Sequence, residues 1–176
     1  NKSEREKYLW TELLKNRFET GEPYIMWTGN ANRHLPPWYS ENNLRVLHSQ
    51  LCNEIFIHSD EEHTYTCVLS SLNLEKYHEW KNTNTVYYAM LLLDAVTQEF
   101  IDKAEGIPGF EKSVRLAKKL RPVGLGVLGW HTLLQKRGIP FESLQAMHLN
   151  SEVFKHIRED VDVANEEMYN MHGAPE

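Results

Sequence analysis

The chain has 176 residues, of which 41% are hydrophobic and 25% are charged, as in an ordinary soluble domain. Its net charge is −6 and it has no block of Lys or Arg, so a nucleic acid is not expected as a partner. Its longest apolar run, 87–93, is far shorter than the roughly 20 residues that cross a membrane, so a membrane is not expected as a partner either. The charged first residues do not resemble a signal peptide, and the two cysteines, Cys52 and Cys67, are too few for a disulfide scaffold, which together favour a cytoplasmic protein.

The first segment has helical periodicity. Leu9, Leu13 and Leu14 share one face, and Gly21 followed by Pro23 predicts the end of this helix. From there to about residue 80 the period is not helical. Four short apolar runs separated by polar or Pro-rich connections predict short strands and extended loops, at 24–27, 46–47, 55–57 and 65–69.

The second half is predicted to be mainly helical. An apolar stripe over 86–101 predicts one helix, which 106–109 ends, and Arg121-Pro122 ends the next. A third helix is predicted from near Gly124 to Gly138, and a last one from an N-cap at Ser151 to Gly173. The third begins with a G-x-G-x-x-G pattern, but because no strand is expected before it, we predict no dinucleotide site there.

These elements predict an α/β protein that is helix-rich and incomplete on its own. Short strands and active-site loops are expected in 1–79, and mainly helices in 80–176. Parallel sheets have both faces covered and usually contain more than three or four strands. The chain also begins without Met and ends directly after a helix. We therefore expect one piece of a larger α/β layer, either a trimmed protein or the product of a split gene.

An amide, a thiol and a carboxylate alternate along one segment, at Gln50, Cys52 and Glu54. In an extended backbone these three side chains point to one side, with neighbours roughly 6–7 Å apart. A carboxylate can act as general base on an alcohol that an amide orients. The thiol can be a nucleophile, a metal ligand or a hydrogen-atom donor. Taken by itself, however, a single cysteine is more often a small buried apolar residue.

Four motifs follow one another along nearly the whole chain. Residues 20–26 read Thr-Gly-Glu-Pro-Tyr-Ile-Met, 49–55 read Ser-Gln-Leu-Cys-Asn-Glu-Ile, 67–74 read Cys-Val-Leu-Ser-Ser-Leu-Asn-Leu, and 121–129 read Arg-Pro-Val-Gly-Leu-Gly-Val-Leu-Gly. In this order they resemble the large, catalytic subunit of class I ribonucleotide reductases. The family signatures are close to Ser-Asn-Leu-Cys-x-Glu-Ile, which this chain matches except at Gln50, and Cys-x-Leu-x-Ser-x-Asn-Leu.

The resemblance implies a fold and a set of roles. The fold would be a ten-stranded α/β barrel, of which this chain forms a part. Cys52 would become a thiyl radical that removes the ribose 3′ hydrogen, and Glu54 would take the 3′-hydroxyl proton. Cys67 would be one of two cysteines that reduce the 2′ position and end as a redox-active disulfide. Ser49, Gln50 and Glu54 would bind the substrate, a ribonucleoside diphosphate.

The resemblance also implies partners. The remaining large-subunit segments would complete the enzyme, and a di-iron tyrosyl small subunit would supply the radical. An external reductant of the thioredoxin or glutaredoxin type would restore the thiols, and the deoxyribonucleotide product would serve DNA replication. Nine histidines are scattered without a ligand pair at metal-binding spacing, so neither a metal nor a cofactor is expected to bind this chain.

Two departures from the family leave alternatives open. Gln50 replaces the usual Asn, and its extra methylene moves the amide by roughly 1 Å, a shift that can cost about 100-fold in rate. Either the site geometry is altered, or the chain is a structural piece whose loop has lost its function. The family partner of Cys67 is not in this sequence. A Cys52–Cys67 disulfide, and a thiol enzyme in which His48 activates Cys52, are the weaker alternatives.

Overall fold

The computed structural model describes residues 3–51 and 53–173. Within them the chain forms eight α-helices, one 3-10 turn and two strands. These elements belong to two compact units, residues 1–61 and 62–176. None of the described helices combines the length and the apolar character needed to span a bilayer.

The first unit contains three helices, which are α1 (Glu4–Thr20), α2 (Thr28–Arg33) and α3 (Pro37–Glu41). Helix α1 begins with a capping box, in which the Ser3 hydroxyl accepts from the Glu6 N–H and the Glu6 carboxylate accepts from the Ser3 N–H. It ends at Gly21, whose φ of 82° is left-handed. The predicted first helix and its glycine stop are confirmed.

The strands predicted in the first unit are wrong. The described residues of 24–27, 46–47 and 55–57 form no strand. A strand needs a neighbour that pairs with its backbone, and around the fully buried Val46 a side chain takes that place. The Asn32 carboxamide accepts from the Val46 N–H at 3.0 Å and donates to the Val46 carbonyl at 2.8 Å. Of these three runs only Val46 is buried, and Tyr24, Trp27, Leu47 and Phe56 are exposed, so apolar content predicted neither the burial nor the pairing of these segments.

The second unit is built around one parallel strand pair. Its elements are β1 (Leu69–Asn73), a 3-10 turn (Leu74–Lys76), α4 (Tyr77–Trp80), α5 (Thr85–Ala104), α6 (Glu111–Leu120), β2 (Gly124–Leu128), α7 (Trp130–Lys136) and α8 (Leu144–His172). Leu69 lies opposite Gly124, and Asn73 lies opposite Leu128. The helices α4 to α6 form the crossover that two parallel strands require. The expected helix-rich α/β class is confirmed.

Two predicted helix starts are corrected. The segment from Gly124 is a strand as far as Leu128, and α7 begins only after Gly129. Helix α8 begins at the N-cap Ser143 rather than at Ser151, whose hydroxyl donates to the Met147 carbonyl one turn earlier. The other predicted helix ends, including the end of α8 at Gly173, agree with the structure, whereas the strand predicted at 65–69 runs instead from Leu69 to Asn73. Residues 80–176 are mainly helical but include β2, and the first 79 residues contain the helices α1 to α3 as well as loops and β1.

The core of the second unit lies between the strand pair and helices α5, α7 and α8. Its fully buried members include Leu74, Leu134 and Val153. At the edge of this core, the carboxylate of the buried Asp94 accepts from Arg121 Nε at 2.7 Å and lies 2.9 Å from His172 Nε2. These contacts connect the middle of α5 with the ends of α6 and α8.

The last glycine of the 121–129 motif has a packing role. Gly129 has a φ of 77°, and a Cβ added there would lie 2.7 Å from Asn73 Oδ1 and 3.1 Å from the Glu75 nitrogen. Asn73 Oδ1 already accepts from the Glu75 N–H at 3.0 Å, so it cannot withdraw without losing that bond. The glycine therefore permits close packing of the two strand ends.

We expect Gly129→Ala to lower the free energy of unfolding by about 1–3 kcal/mol, because it adds a steric clash to an unfavourable backbone conformation. Gly106→Ala is the matched control, since Gly106 has a φ of 80° but open space around its Cα. It should cost about 1 kcal/mol. Urea denaturation measures both variants, and equal losses would contradict the role of close packing.

Candidate functional site

The residues 49–55, here called the thiol loop, are not extended as predicted. The Gln50 carbonyl accepts from the Asn53 N–H at 3.1 Å, which closes a turn. Asn53 has a φ of 63°, in the left-handed region. The Gln50 side chain then accepts from the Ile55 N–H at 3.0 Å through Oε1. Because the backbone turns, the alternation of sides along an extended chain does not apply to Gln50 and Glu54.

The side chains of the thiol loop differ in exposure. Ser49 and Gln50 are partly buried, whereas Glu54 is exposed. Cys52, to which the sequence assigns the radical, lies outside the described residues. The His48 ring, proposed in one alternative to activate that thiol, places Nδ1 3.3 Å from the Ser49 carbonyl oxygen. Among the predicted residues of this loop, the structure therefore gives positions for Ser49, Gln50 and Glu54.

Two buried polar atoms of the thiol loop have no hydrogen-bond partner among the described residues. They are Gln50 Nε2 and Asn53 Oδ1. An unsatisfied buried polar atom costs about 1–3 kcal/mol, so native proteins contain few of them. A donor and an acceptor of this kind, three residues apart, mark the loop as a place where a further hydrogen-bonding group fits.

Asn53 is the loop residue that sequence reasoning missed. It occupies the undefined position of the family signature, so only its residue type could have indicated its backbone conformation. Asn enters the left-handed region more readily than other residues with a side chain. The turn between Gln50 and Asn53 needs such a residue at its end.

The thiol loop also borders a cavity of about 460 Å³ in the first unit. Asn53 and Phe56 form one side of it, and Ile25, Met26 and Trp27 line it as well. The 20–26 motif and the 49–55 motif, which are distant in sequence, therefore meet at one cavity. This proximity was not predictable from the spacing of the two motifs.

The second predicted cysteine lies at the start of the strand pair in the second unit. Cys67 is exposed. It directly precedes Val68, whose carbonyl accepts from the Gly124 N–H at 2.9 Å. The 67–74 and 121–129 motifs are consequently hydrogen-bonded neighbours. Each unit thus brings together two of the four motifs.

We expect Asn53→Val to destabilise the protein by about 1–3 kcal/mol, because a β-branched residue is strained at positive φ. Asn53→Gly relieves that strain and removes no hydrogen bond of the side-chain oxygen, so it should change stability by less than about 1 kcal/mol. Urea denaturation of the two variants tests the assignment. If Asn53→Gly lost as much stability as Asn53→Val, the left-handed backbone conformation would not be the reason for asparagine at position 53.

Comparisons with known proteins agree with this arrangement. The family described as ribonucleotide reductase, barrel domain, matches residues 1–169. A protein of Frog virus 3 (isolate Goorha), provisionally named a ribonucleoside-diphosphate reductase large subunit, is 42% identical over 85% of this chain. The ribonucleoside-diphosphate reductase large subunit of Invertebrate iridescent virus 3 is 38% identical over 94% of this chain. The Actinobacillus ureae class Id ribonucleotide reductase alpha subunit superimposes over 98% of this chain, with a TM-score of 0.82 and 39% identity.

These relatives are much longer than this chain. The matched regions cover 27% and 26% of the two viral proteins and 33% of the Actinobacillus ureae chain. The described part of this chain holds two parallel strands, as a portion of a larger α/β barrel would. The matched family, the relatives and the pairwise meeting of the four motifs lead to one conclusion: the chain belongs to the ribonucleotide reductase barrel-domain family and represents part of that barrel.

Proposed function

We propose that this chain supplies the radical-bearing segment of a ribonucleoside-diphosphate reductase large subunit. The observation that carries the proposal is the pairwise meeting of the four family motifs, at the cavity beside the thiol loop and along the β1–β2 pair. Because the chain covers about a quarter of its viral relatives, it would be active only together with the remaining large-subunit segments.

The proposed chemistry exchanges one hydroxyl for one hydrogen. A thiyl radical on Cys52 removes the ribose 3′ hydrogen, and Glu54 accepts the 3′-hydroxyl proton. The 2′ hydroxyl then leaves as water. Two thiols, one of them that of Cys67, supply the two electrons and two protons and become a disulfide. The 3′ hydrogen returns to the sugar and the thiyl radical is restored, so the net reaction consumes two thiols and yields water and a deoxyribonucleotide.

The exposed side chains are consistent with these roles. A carboxylate must reach the substrate hydroxyl to act as general base, and Glu54 is exposed. A cysteine that alternates between thiol and disulfide must be reached by both substrate and reductant, and Cys67 is exposed. Ser49 and Gln50 lie in the same loop as Glu54 and would contact the substrate. These placements support the roles, which remain proposals.

The proposal requires partners that this chain does not contain. A radical-generating small subunit would create the thiyl radical, and the expectation that it holds a di-iron tyrosyl group remains a prediction. A cysteine from another large-subunit segment would pair with Cys67. A reductant of the thioredoxin or glutaredoxin type would regenerate the thiols. The cytoplasm, where such reductants keep thiols reduced, is the proposed compartment.

The alternative is a structural segment whose thiol loop no longer catalyses, and Cys52→Ser separates the two. In the assembled enzyme we expect this variant to lower deoxyribonucleotide formation by at least about 10³-fold, as removal of a covalently reacting residue does. Leu51→Met is the control, because it conserves volume at a neighbouring position that is exposed. It should retain activity within about threefold. Wild-type turnover by the Cys52→Ser assembly would overturn the proposed function.

A further inference from the structure

We propose that Gln50 is a positioning residue that closes the thiol loop through its side chain, and that this loop requires glutamine where the family usually has asparagine. The catalytic consequence of this inference rests on the proposed function. The hydrogen bond between Gln50 and Ile55 does not depend on that function, because it forms within this chain without a substrate or a partner.

Gln50 holds the loop at two points. Its backbone carbonyl accepts from the Asn53 N–H at 3.1 Å, and its side-chain Oε1 accepts from the Ile55 N–H at 3.0 Å. One residue therefore holds both the turn and the residue Ile55 that follows it. Glu54 lies in sequence between Asn53 and Ile55, the donors of these two hydrogen bonds, so its backbone is constrained from both sides.

The length of the side chain decides whether the second bond can form. Asparagine is shorter by one methylene, which brings the amide oxygen nearer its own backbone by up to roughly 1.5 Å. The distance to the Ile55 nitrogen would then rise from 3.0 Å to well beyond the limit of a hydrogen bond. An asparagine could restore the contact only if the loop closed further, which would move Glu54.

The same bond fixes the orientation of the amide. A backbone N–H only donates, so the atom facing Ile55 is the oxygen, and Nε2 points elsewhere. Nε2 is buried and has no partner among the described residues. The side chain thus has one group engaged in the loop and one donor left over for a further acceptor. In a loop that had lost its function, neither the hydrogen bond of Oε1 nor the buried Nε2 would be needed.

A loop that has lost its function and a loop that needs glutamine predict opposite changes in turnover for Gln50→Asn. If glutamine were a damaging replacement, Gln50→Asn would restore the family residue and raise turnover. If Oε1 is needed to close the loop, the same substitution opens it and lowers turnover. The sign of one effect therefore separates the two interpretations.

Three substitutions at position 50 isolate the hydrogen bond in the assembled enzyme. Gln50→Glu keeps an acceptor at the same distance, Gln50→Met keeps the length without an acceptor, and Gln50→Asn keeps the amide but shortens it. Hydrogen exchange of the Ile55 amide reports on the bond without depending on activity. We expect exchange at least about tenfold faster with Met and Asn, and near the wild-type rate with Glu, because one lost hydrogen bond changes an opening equilibrium by about that factor.

Leu51→Met is the matched control, since it also places methionine in the loop but leaves Oε1 in place. It should not change exchange at Ile55. Deoxyribonucleotide formation should fall at least tenfold with Gln50→Asn, in line with the cost of displacing a catalytic group by about 1 Å.

Two results would overturn the inference, namely unchanged Ile55 exchange in Gln50→Met, or higher turnover in Gln50→Asn. The proposed function fails separately. If the wild-type assembly forms no deoxyribonucleotide while the exchange pattern is as expected, the loop-closing role of Gln50 stands and the reductase proposal does not.

Discussion

The parallel register between Leu69–Asn73 and Gly124–Leu128 determines where the second unit places its chemistry. The pairing continues one residue before β1, where the Val68 carbonyl accepts from Gly124, and Cys67 precedes that point. At the other end, the Asn73 carbonyl accepts from Trp80 Nε1 at 2.9 Å, which joins the strand to α4. A slip of one residue would turn every side chain of β1 to the opposite face. The exposed thiol and the buried core therefore depend on the same ladder.

Helix ends were predictable because the residues that stop a helix act locally. Gly21 and Gly173 end α1 and α8 through their own backbone freedom, and Arg121-Pro122 ends α6 because proline cannot continue a helix. Strands were not predictable in this way. The run 124–128 forms a strand because residues about fifty positions earlier pair with it, and the runs of the first unit form none because no such partner lies beside them in the described part of the chain.

The candidate site shows the same division between residue type and geometry. The sequence singled out candidate residues, since amide, thiol and carboxylate side chains in a family motif are informative whatever their orientation, and the roles of these residues stay predictions. It gave the wrong backbone, because the alternation of sides holds only for an extended segment. A single left-handed residue, Asn53, replaces extension with a turn. The side chain of Gln50 then accepts a hydrogen bond from the Ile55 N–H within the loop, a contact that residue spacing alone does not predict.

The central claim is that a thiyl radical formed in this segment removes the ribose 3′ hydrogen. The most direct measurement compares the rate of deoxyribonucleotide formation by the assembled enzyme with ribonucleoside diphosphates carrying hydrogen or deuterium at C3′. Deuterium at C5′ serves as the control position. Under conditions where the chemical step limits the rate, the account predicts slower turnover of the substrate with deuterium at C3′. It predicts that deuterium at C5′ leaves the rate of turnover unchanged. Equal rates for all three substrates under those conditions would contradict it.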